Sequence, residues 1–392
     1  MLKTYQKRFI FCCLLLLFFK TVFAENQNTV RLALLDTVYN EMPVQFSLLS
    51  EYEQAYLAGV KTAAEFAKRY DINIVYQPFF YENANGSLEL LAEVPRINAW
   101  KADLVLGPSS SDQMLMLKNS LPNTMVLSSY ASDTTLKTLP KNFYSVFLPD
   151  DQIMDLLAGY IHAKYPQKNI YIIAQIDDKQ SVDVSQEFIT SYRGVSPKTK
   201  IDETKILLDN INAIDSKKLL AGHESDIILI FNSSFYGYNA LVQHLTDSMP
   251  NTHLIFFSDQ DNWGESVVPD NTQDLNRFNY ESYRIGPIME DAQLPYYKEF
   301  LQTYNSLYHS PPSDAVSYMT YIATISAIEA LIAYPDQNNS DSMREKILYS
   351  YATALAHNPN WFRLNDFAIY RLIPQGEILI TKLPLSQKEV TK

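Results

Sequence analysis

Cysteine is nearly missing from this chain of 392 residues, which has two, Cys12 and Cys13, side by side. Neighbouring thiols cannot build a disulfide framework, so stability must come from a packed core, for which the length is ample. Glycine is scarce at 10 residues, and no Gly-x-Gly occurs. That excludes the glycine loops that cradle nucleotide phosphates. The six histidines are scattered and show no pair at metal-ligand spacing. Gly-x-Ser-x-Gly and His-Glu-x-x-His are absent, so an exported hydrolase has no legible nucleophile–base pair. The doublets Asp150-Asp151 and Asp177-Asp178 read as turn or helix-start residues, because adjacent side chains rarely face one reacting centre. Basic charge is in deficit, 32 Lys+Arg against 44 Asp+Glu for a net charge of −12, so the footprint that nucleic acid requires is missing. The residues imply no enzyme, metal or cofactor.

Long apolar runs are also rare. The first lies near the start, where Lys3, Lys7 and Arg8 precede Phe9–Phe19 and Val22-Phe23-Ala24 follows. This reads as a cleaved export signal over residues 1–24, because Lys20 interrupts the run well short of the roughly 20 residues of a membrane span. No later segment reads as a span. Cleavage would remove both cysteines and the basic residues Lys3, Lys7, Arg8 and Lys20, with no acidic residue, taking the charge from −12 to −16. The expectation is a cysteine-free periplasmic protein.

What the chain does have is alternation. Val30–Leu35, Ile72–Tyr76, Asp103–Leu106, Met125–Ser128 and Phe143–Phe147 read as strands, separated by helical patterns near 53–70, 87–100 and 111–121. A second set follows, with strands at Ile170–Ile176, Ile227–Phe231 and Leu254–Phe257 and helices near 181–193, 236–248, 294–308 and 313–334. Ser313 is placed to cap the last helix. Continuous apolar strands alternating with helices imply parallel sheets covered on both faces. The expected fold is α/β, with two doubly wound parallel-sheet lobes joined by a multi-crossing hinge. Lobe 1 takes residues 25–148 plus 287–336, and lobe 2 takes 149–286 plus 337–392.

One constellation carries chemistry. The strand Asp103–Leu106 runs into Gly107-Pro108-Ser109-Ser110-Ser111 and then directly into a helical pattern. Such a turn lies at the carboxyl edge of a parallel sheet, where open α/β folds bind ligands. Free N–H groups at a helix start attract an anion, and serine hydroxyls assist without adding charge. The competing reading is that one serine merely caps the helix. The next strand ends in Ser128-Ser129-Tyr130-Ala131-Ser132-Asp133, so two neighbouring edges carry short hydroxyl residues that suit a zwitterion.

At this point the sequence resembles the type I periplasmic substrate-binding proteins of ABC transporters. The nearer branch includes the leucine/isoleucine/valine-binding proteins and the amino-acid-binding domain of metabotropic glutamate receptors. The resemblance runs in order through VRLALL, AGVKTAAEFA, DLVLGPSSS, VLSSYASDTTL, FYSVFLPDD, VSQEFITSY, FFSDQDNW and KEFLQTYNSLYHSPPSDAVSYMTYIA. It implies a ligand α-carboxylate on Ser109, Ser110 and Ser111, and carboxylate plus α-ammonium on backbone groups of Tyr130 and Ala131 and the Ser132 hydroxyl. It also implies an aromatic at Tyr52 and an acidic residue facing the ammonium at Asp259, with Asp261 as the alternative. Relatives carry Tyr-Gly where this chain has Gln180-Ser181, and their early Asn-x-x-Gly-Gly is missing around Arg69–Ile72. The resemblance implies a monomeric capture protein for a small polar ligand, an amino acid, serving an inner-membrane ABC permease without a cofactor. The rival implication is an envelope interaction or regulatory protein that keeps the fold with altered or lost ligand binding.

Overall fold

The computed structural model describes residues 28–38, 51–82, 87–207, 211–231, 235–259, 279–288, 294, 296–312, 315–336, 340, 342–364, 366–373 and 376–383. The expected signal over 1–24, Ser313 and Asp261 fall outside these residues. So does the side chain of Tyr52.

The first sheet has the order β3-β1-β5-β6-β7 and is parallel throughout. Its strands are β1 (Thr29–Leu34), β3 (Asn73–Pro78), β5 (Leu104–Leu106), β6 (Met125–Ser128) and β7 (Phe143–Ser145), while β2 (Thr37–Val38) and β4 (Tyr81–Glu82) form a separate pair. The connections include helices α1 (Glu51–Ala67), α2 (Ser87–Trp100) and α3 (Ser111–Leu117), because parallel neighbours need a crossover. Both faces of this sheet are covered. Val30, Leu32 and Leu34 face one core cluster with Tyr56 and Val60 of α1, whereas Ala33 and Val105 face another with Leu90, Ile97, Met114 and Leu117 of α2 and α3.

After β7 the chain enters α4 (Asp150–Lys164), β8 (Ile170–Gln175), α5 (Lys179–Val195), β9 (Ile201–Ile206), α6 (Ser216–Leu219), β10 (Ile227–Phe231), α7 (Phe235–Ser248), β11 (Leu254–Ser258) and β12 (Tyr280–Pro287). It then returns through α8 (Tyr297–Tyr308), α9 (Val316–Ala333) and α10 (Met343–His357) before closing with β13 (Phe367–Ile373) and β14 (Gly376–Leu383). The second sheet has the order β14-β13-β12-β11-β10-β8-β9. Strands β8 to β12 pair in parallel, and β13 and β14 add antiparallel at one edge. The tail therefore completes the second sheet, but as an antiparallel hairpin. A connection this short cannot carry a parallel crossover.

Three crossings join the lobes, after β7, after β12 and after α10. Helix α10 packs on α9 and β6 of the first lobe, whereas the expected boundaries gave 337–392 to the second. The third crossing therefore follows His357. Asp150-Asp151 opens helix α4, in which Ile153, Met154, Leu157, Ala158 and Ile161 recur at helical spacing and are all buried.

Helix α9 also corrects the expectation that no later segment could span a membrane. Val316–Ala333 reaches a mean hydropathy of 1.4 over 18 residues, and 78% of that window is buried inside the protein. A helix apolar on every side is a core helix here. Gly59 of α1 permits its close approach, since a Cβ at that position would lie 2.3 Å from the Ser317 carbonyl oxygen.

Candidate functional site

The carboxyl edge of the first sheet presents two turns locked to each other. Gly107 has φ +96° and donates its N–H to the Leu127 carbonyl at 2.6 Å, and its peptide bond to Pro108 is cis. The Ser109 hydroxyl donates to Asp36 Oδ1 at 2.9 Å, and Asp36 is 1% exposed just beyond β1. Ser111 Oγ accepts the N–H groups of Ser132 at 3.0 Å and Asp133 at 3.1 Å. Ser128 Oγ donates to the Pro108 carbonyl at 2.8 Å and accepts the N–H groups of Tyr130 at 3.3 Å and Ala131 at 3.1 Å.

Three hydroxyls are thus engaged inside the first lobe, tying strand ends that are far apart in sequence. Ser110 differs. It occupies the cap position of α3 with extended backbone, but its hydroxyl makes no cap bond. The helical ladder begins with the Met114 N–H on the Ser110 carbonyl at 3.0 Å, so the N–H groups of residues 111 to 113 precede it. Ser111 Oγ only accepts, so both Ser110 and Ser111 keep a hydroxyl proton to donate, whereas Ser109 gives its proton to Asp36. The N–H groups of Tyr130 and Ala131 serve Ser128, and the Tyr130 ring packs against Phe147 with centroids 6.1 Å apart.

The second lobe brings the start of α5 over these turns. Asp178 caps that helix, accepting N–H groups of Gln180 and Ser181, each at 3.2 Å. Lys179 Nζ lies 2.6 Å from Asp183 in its own helix, and 3.5 Å and 3.9 Å from Asp133 and Asp112 of the first lobe. Thr134 donates to Glu187 Oε1 at 3.2 Å, and Lys137 pairs with Asp151. Gln180 is exposed at this mouth. Its neighbour Ser181 is buried, accepting the Gln175 N–H at 2.8 Å and donating to the Phe231 carbonyl. Asp259 is half-buried at the carboxyl end of β11, two strands from β8, and Tyr52 lies in the first turn of α1.

Sequence reasoning gave no site role to the acids around these turns. Asp36 follows the VRLALL strand directly at its carboxyl edge, which is the signal that marks it. Asp150 opens α4, and its N–H bonds the Ser132 carbonyl at 2.8 Å. Burial pushes the Asp150 carboxyl up to about 7; the Ser132 hydroxyl opposes that shift, while Asp133, Asp151 and Glu187 reinforce it. Asp133 goes the other way. Burial raises it, but the Thr135 hydroxyl and N–H together with Lys179 outweigh burial and hold it below the ordinary carboxylate range.

Asp150 carries a pH prediction. Between the ordinary Asp value and about 7 the folded state binds a proton that the unfolded state has released. Its favourable contribution is therefore complete below pH 4 and is lost as the pH rises through 7. Asp150→Asn is expected to stabilise the fold at pH 8 by on the order of 1–3 kcal/mol and to change little at pH 5. Urea unfolding at the two pH values checks this, and an equal effect at both would refute it. Among the described residues, no group of His, Cys, Asp and Glu is arranged to hold a metal ion.

No protein-family model matches the chain, and neither does any curated protein sequence. Solved structures do. A leucine-binding protein of Thermotoga maritima superposes with a TM-score of 0.68 at 12% identity, covering 91% of this chain and 99% of its own. A branched-chain amino acid transporter substrate-binding protein of Streptococcus pneumoniae, in complex with isoleucine, gives 0.65 at 13% identity over 91% and 99%. A solute-binding protein of an ABC transporter from R. palustris, in complex with benzoate, gives 0.65 at 13% identity over 92% and 98%. Two parallel-sheet lobes joined by three crossings, with serine turns at the facing edge and near-complete coverage of these structures, give this chain the fold of the type I periplasmic substrate-binding proteins of ABC transporters.

Proposed function

We propose that this chain is an exported, monomeric substrate-binding protein that captures a small polar ligand, an amino acid, between its lobes and delivers it to an inner-membrane ABC permease. The observation that carries this reading is the pairing of two unlike poles at one edge. Ser110, with no cap bond, and the turn Ser109–Ser111 suit a carboxylate. Asp133, whose carboxyl is held below the ordinary range on the second turn, suits an ammonium. Leucine, isoleucine and benzoate, the ligands of the structural neighbours, all carry a carboxylate.

In this reading Ser110 and Ser111 donate to the ligand carboxylate, while Ser109 holds the turn in shape. Ser132, with carbonyl groups of Tyr130 and Ala131, meets the ammonium. Asp259 approaches from the second lobe, Gln180 stands where relatives have tyrosine, and Tyr52 borders the first-lobe side. Hinge motion at the three crossings closes the lobes. The cross-lobe pairs of Lys179 are weak because its side chain is 62% exposed, and exposed pairs contribute about 0–1 kcal/mol each. Ligand contacts, rather than these pairs, would then decide closure.

A thermal-shift screen against the amino acids tests the reading, since a ligand at 100 times its Kd stabilises the fold by about 2.7 kcal/mol. With the ligand identified, Ser110→Ala is expected to weaken binding about 10- to 150-fold. Unchanged affinity in calorimetry would remove Ser110 from the site. The second reading, an envelope interaction or regulatory protein, is favoured by the engaged hydroxyl of Ser109 and by Gln180 in place of the aromatic. It predicts no thermal shift with any amino acid and a gene set among envelope functions rather than beside a permease.

A further inference from the structure

We propose a second ligand site, on the hinge side of residues 131–133, for a small apolar carboxylate. A cavity of about 430 Å³ opens there between β7, the 134–141 segment and α10. That volume lies within the range of small-molecule sites. Its walls are apolar, from Met114, Leu136, Leu139, Phe143 and Leu355. Ala131 is 2% exposed and belongs to the same apolar cluster as Met114 and Phe143, so the turn at the candidate amino-acid site forms part of this wall.

The polar end is Arg363. Its Nε is buried without a hydrogen bond among the described residues, its Nη1 reaches Asn360 Oδ1 only at 3.5 Å, and the guanidinium also engages the Tyr144 hydroxyl. The guanidinium lies over the Tyr144 ring, with Cζ 4.9 Å from the centroid. Lys137 and Lys141 also line the cavity, against a single acid, Asp133. Lys137 is paired with Asp151, and Asp133 is engaged by Thr135 and Lys179, which leaves Arg363 and Lys141 to set the sign. In a chain of net charge −12, a cationic group inside an apolar cavity selects an anion with an apolar body. A carboxylate matches the planar guanidinium.

The cavity touches two of the three crossings, through Phe147 and Pro149 after β7 and through Arg363 after α10. A ligand there would brace both segments and bias how the lobes swing. Ser132 and Asp133 also line it, so this cavity shares the wall of the second turn with the candidate amino-acid site, and the Ser110 variant tells the two apart.

Octanoate is the probe, with calorimetry on the full chain as the readout. One octanoate should bind per chain. Arg363→Gln is expected to weaken it by about tenfold or more, with Arg363→Lys between the two. Ala352→Trp, at an exposed position on the cavity rim, should abolish binding without disturbing the fold. It decides the question if Arg363→Gln does not fold. Ser110→Ala should leave octanoate affinity unchanged. The proposal is overturned if the wild type binds no octanoate at millimolar concentration, if Ala352→Trp binds as tightly as the wild type, or if Ser110→Ala removes binding.

Discussion

Gly107→Ala is expected to destabilise the fold by about 2–5 kcal/mol and to abolish any ligand binding at the serine turns. Two effects combine at this position. The backbone holds φ +96°, a conformation that L side chains rarely adopt. The new Cβ would also lie 1.9 Å from the Leu35 carbonyl oxygen, which is backbone and cannot rotate away, and 3.2 Å from the Tyr56 hydroxyl. Relief requires β1 and β5 to separate at the edge where Asp36 accepts the Ser109 hydroxyl. Gly222→Ala is the control. It has φ +84° but open space around its Cβ, so it should show only the backbone effect, about 1–2 kcal/mol. Urea unfolding of both variants separates the terms, and equal losses would mean that the clash at Leu35 is absent.

Glu377→Gln is the second large effect, expected to cost about 2–4 kcal/mol. Arg284 of β12 is 3% exposed and donates to Glu377 through Nε at 2.6 Å and Nη2 at 2.7 Å. Its guanidinium also lies 4.5 Å above the Tyr370 ring, the cross-strand partner on β13. The pair therefore spans three strands and fastens the C-terminal hairpin to the parallel part of the second sheet. Glutamine preserves shape and one acceptor but removes the charge from the two bonds at Nε and Nη2 of a buried guanidinium. The Glu377 side chain is 29% exposed and keeps some solvation, so the loss is smaller than for a fully buried pair. Arg284→Met combined with Glu377→Gln should recover part of the loss, since the cation is then gone. A double variant no more stable than Glu377→Gln alone, measured by urea unfolding, would show that packing and not charge holds the hairpin.

The sheets were legible where strands are buried on both faces. IILIF over residues 227–231 and IYIIAQ over 170–175 have almost no surface to carry a polar alternation, so a continuous apolar run marks them. The edge strand β9, with Asp202, Glu203, Thr204 and Lys205 in its middle, has no such mark and escaped notice. For α4 the doublet Asp150-Asp151 marks a turn or helix start, while the length of the helix shows only in the buried apolar spacing from Ile153 to Ile161. Helix α10 escaped for a different reason. It packs along α9 and β6, partners that local pattern cannot anticipate.

By itself the sequence determined the alternation of strand and helix, the two lobes, the acidic charge, and the serine-bearing turns at Gly107–Ser111 and Ser128–Ser132. These follow from local chemistry, in which hydrophobic period, turn residues and charge act over a few positions at a time. Only the tertiary structure decided what the serines do. The Ser109 hydroxyl meets Asp36, 73 residues away, and Ser111 meets the backbone of Ser132, 21 residues away. Lys179 faces Asp133 from the other lobe, and Arg363 turns toward a cavity beside β7. A hydroxyl or guanidinium bonds whatever the fold brings within about 3 Å. Separation along the chain carries no record of which strand ends will meet.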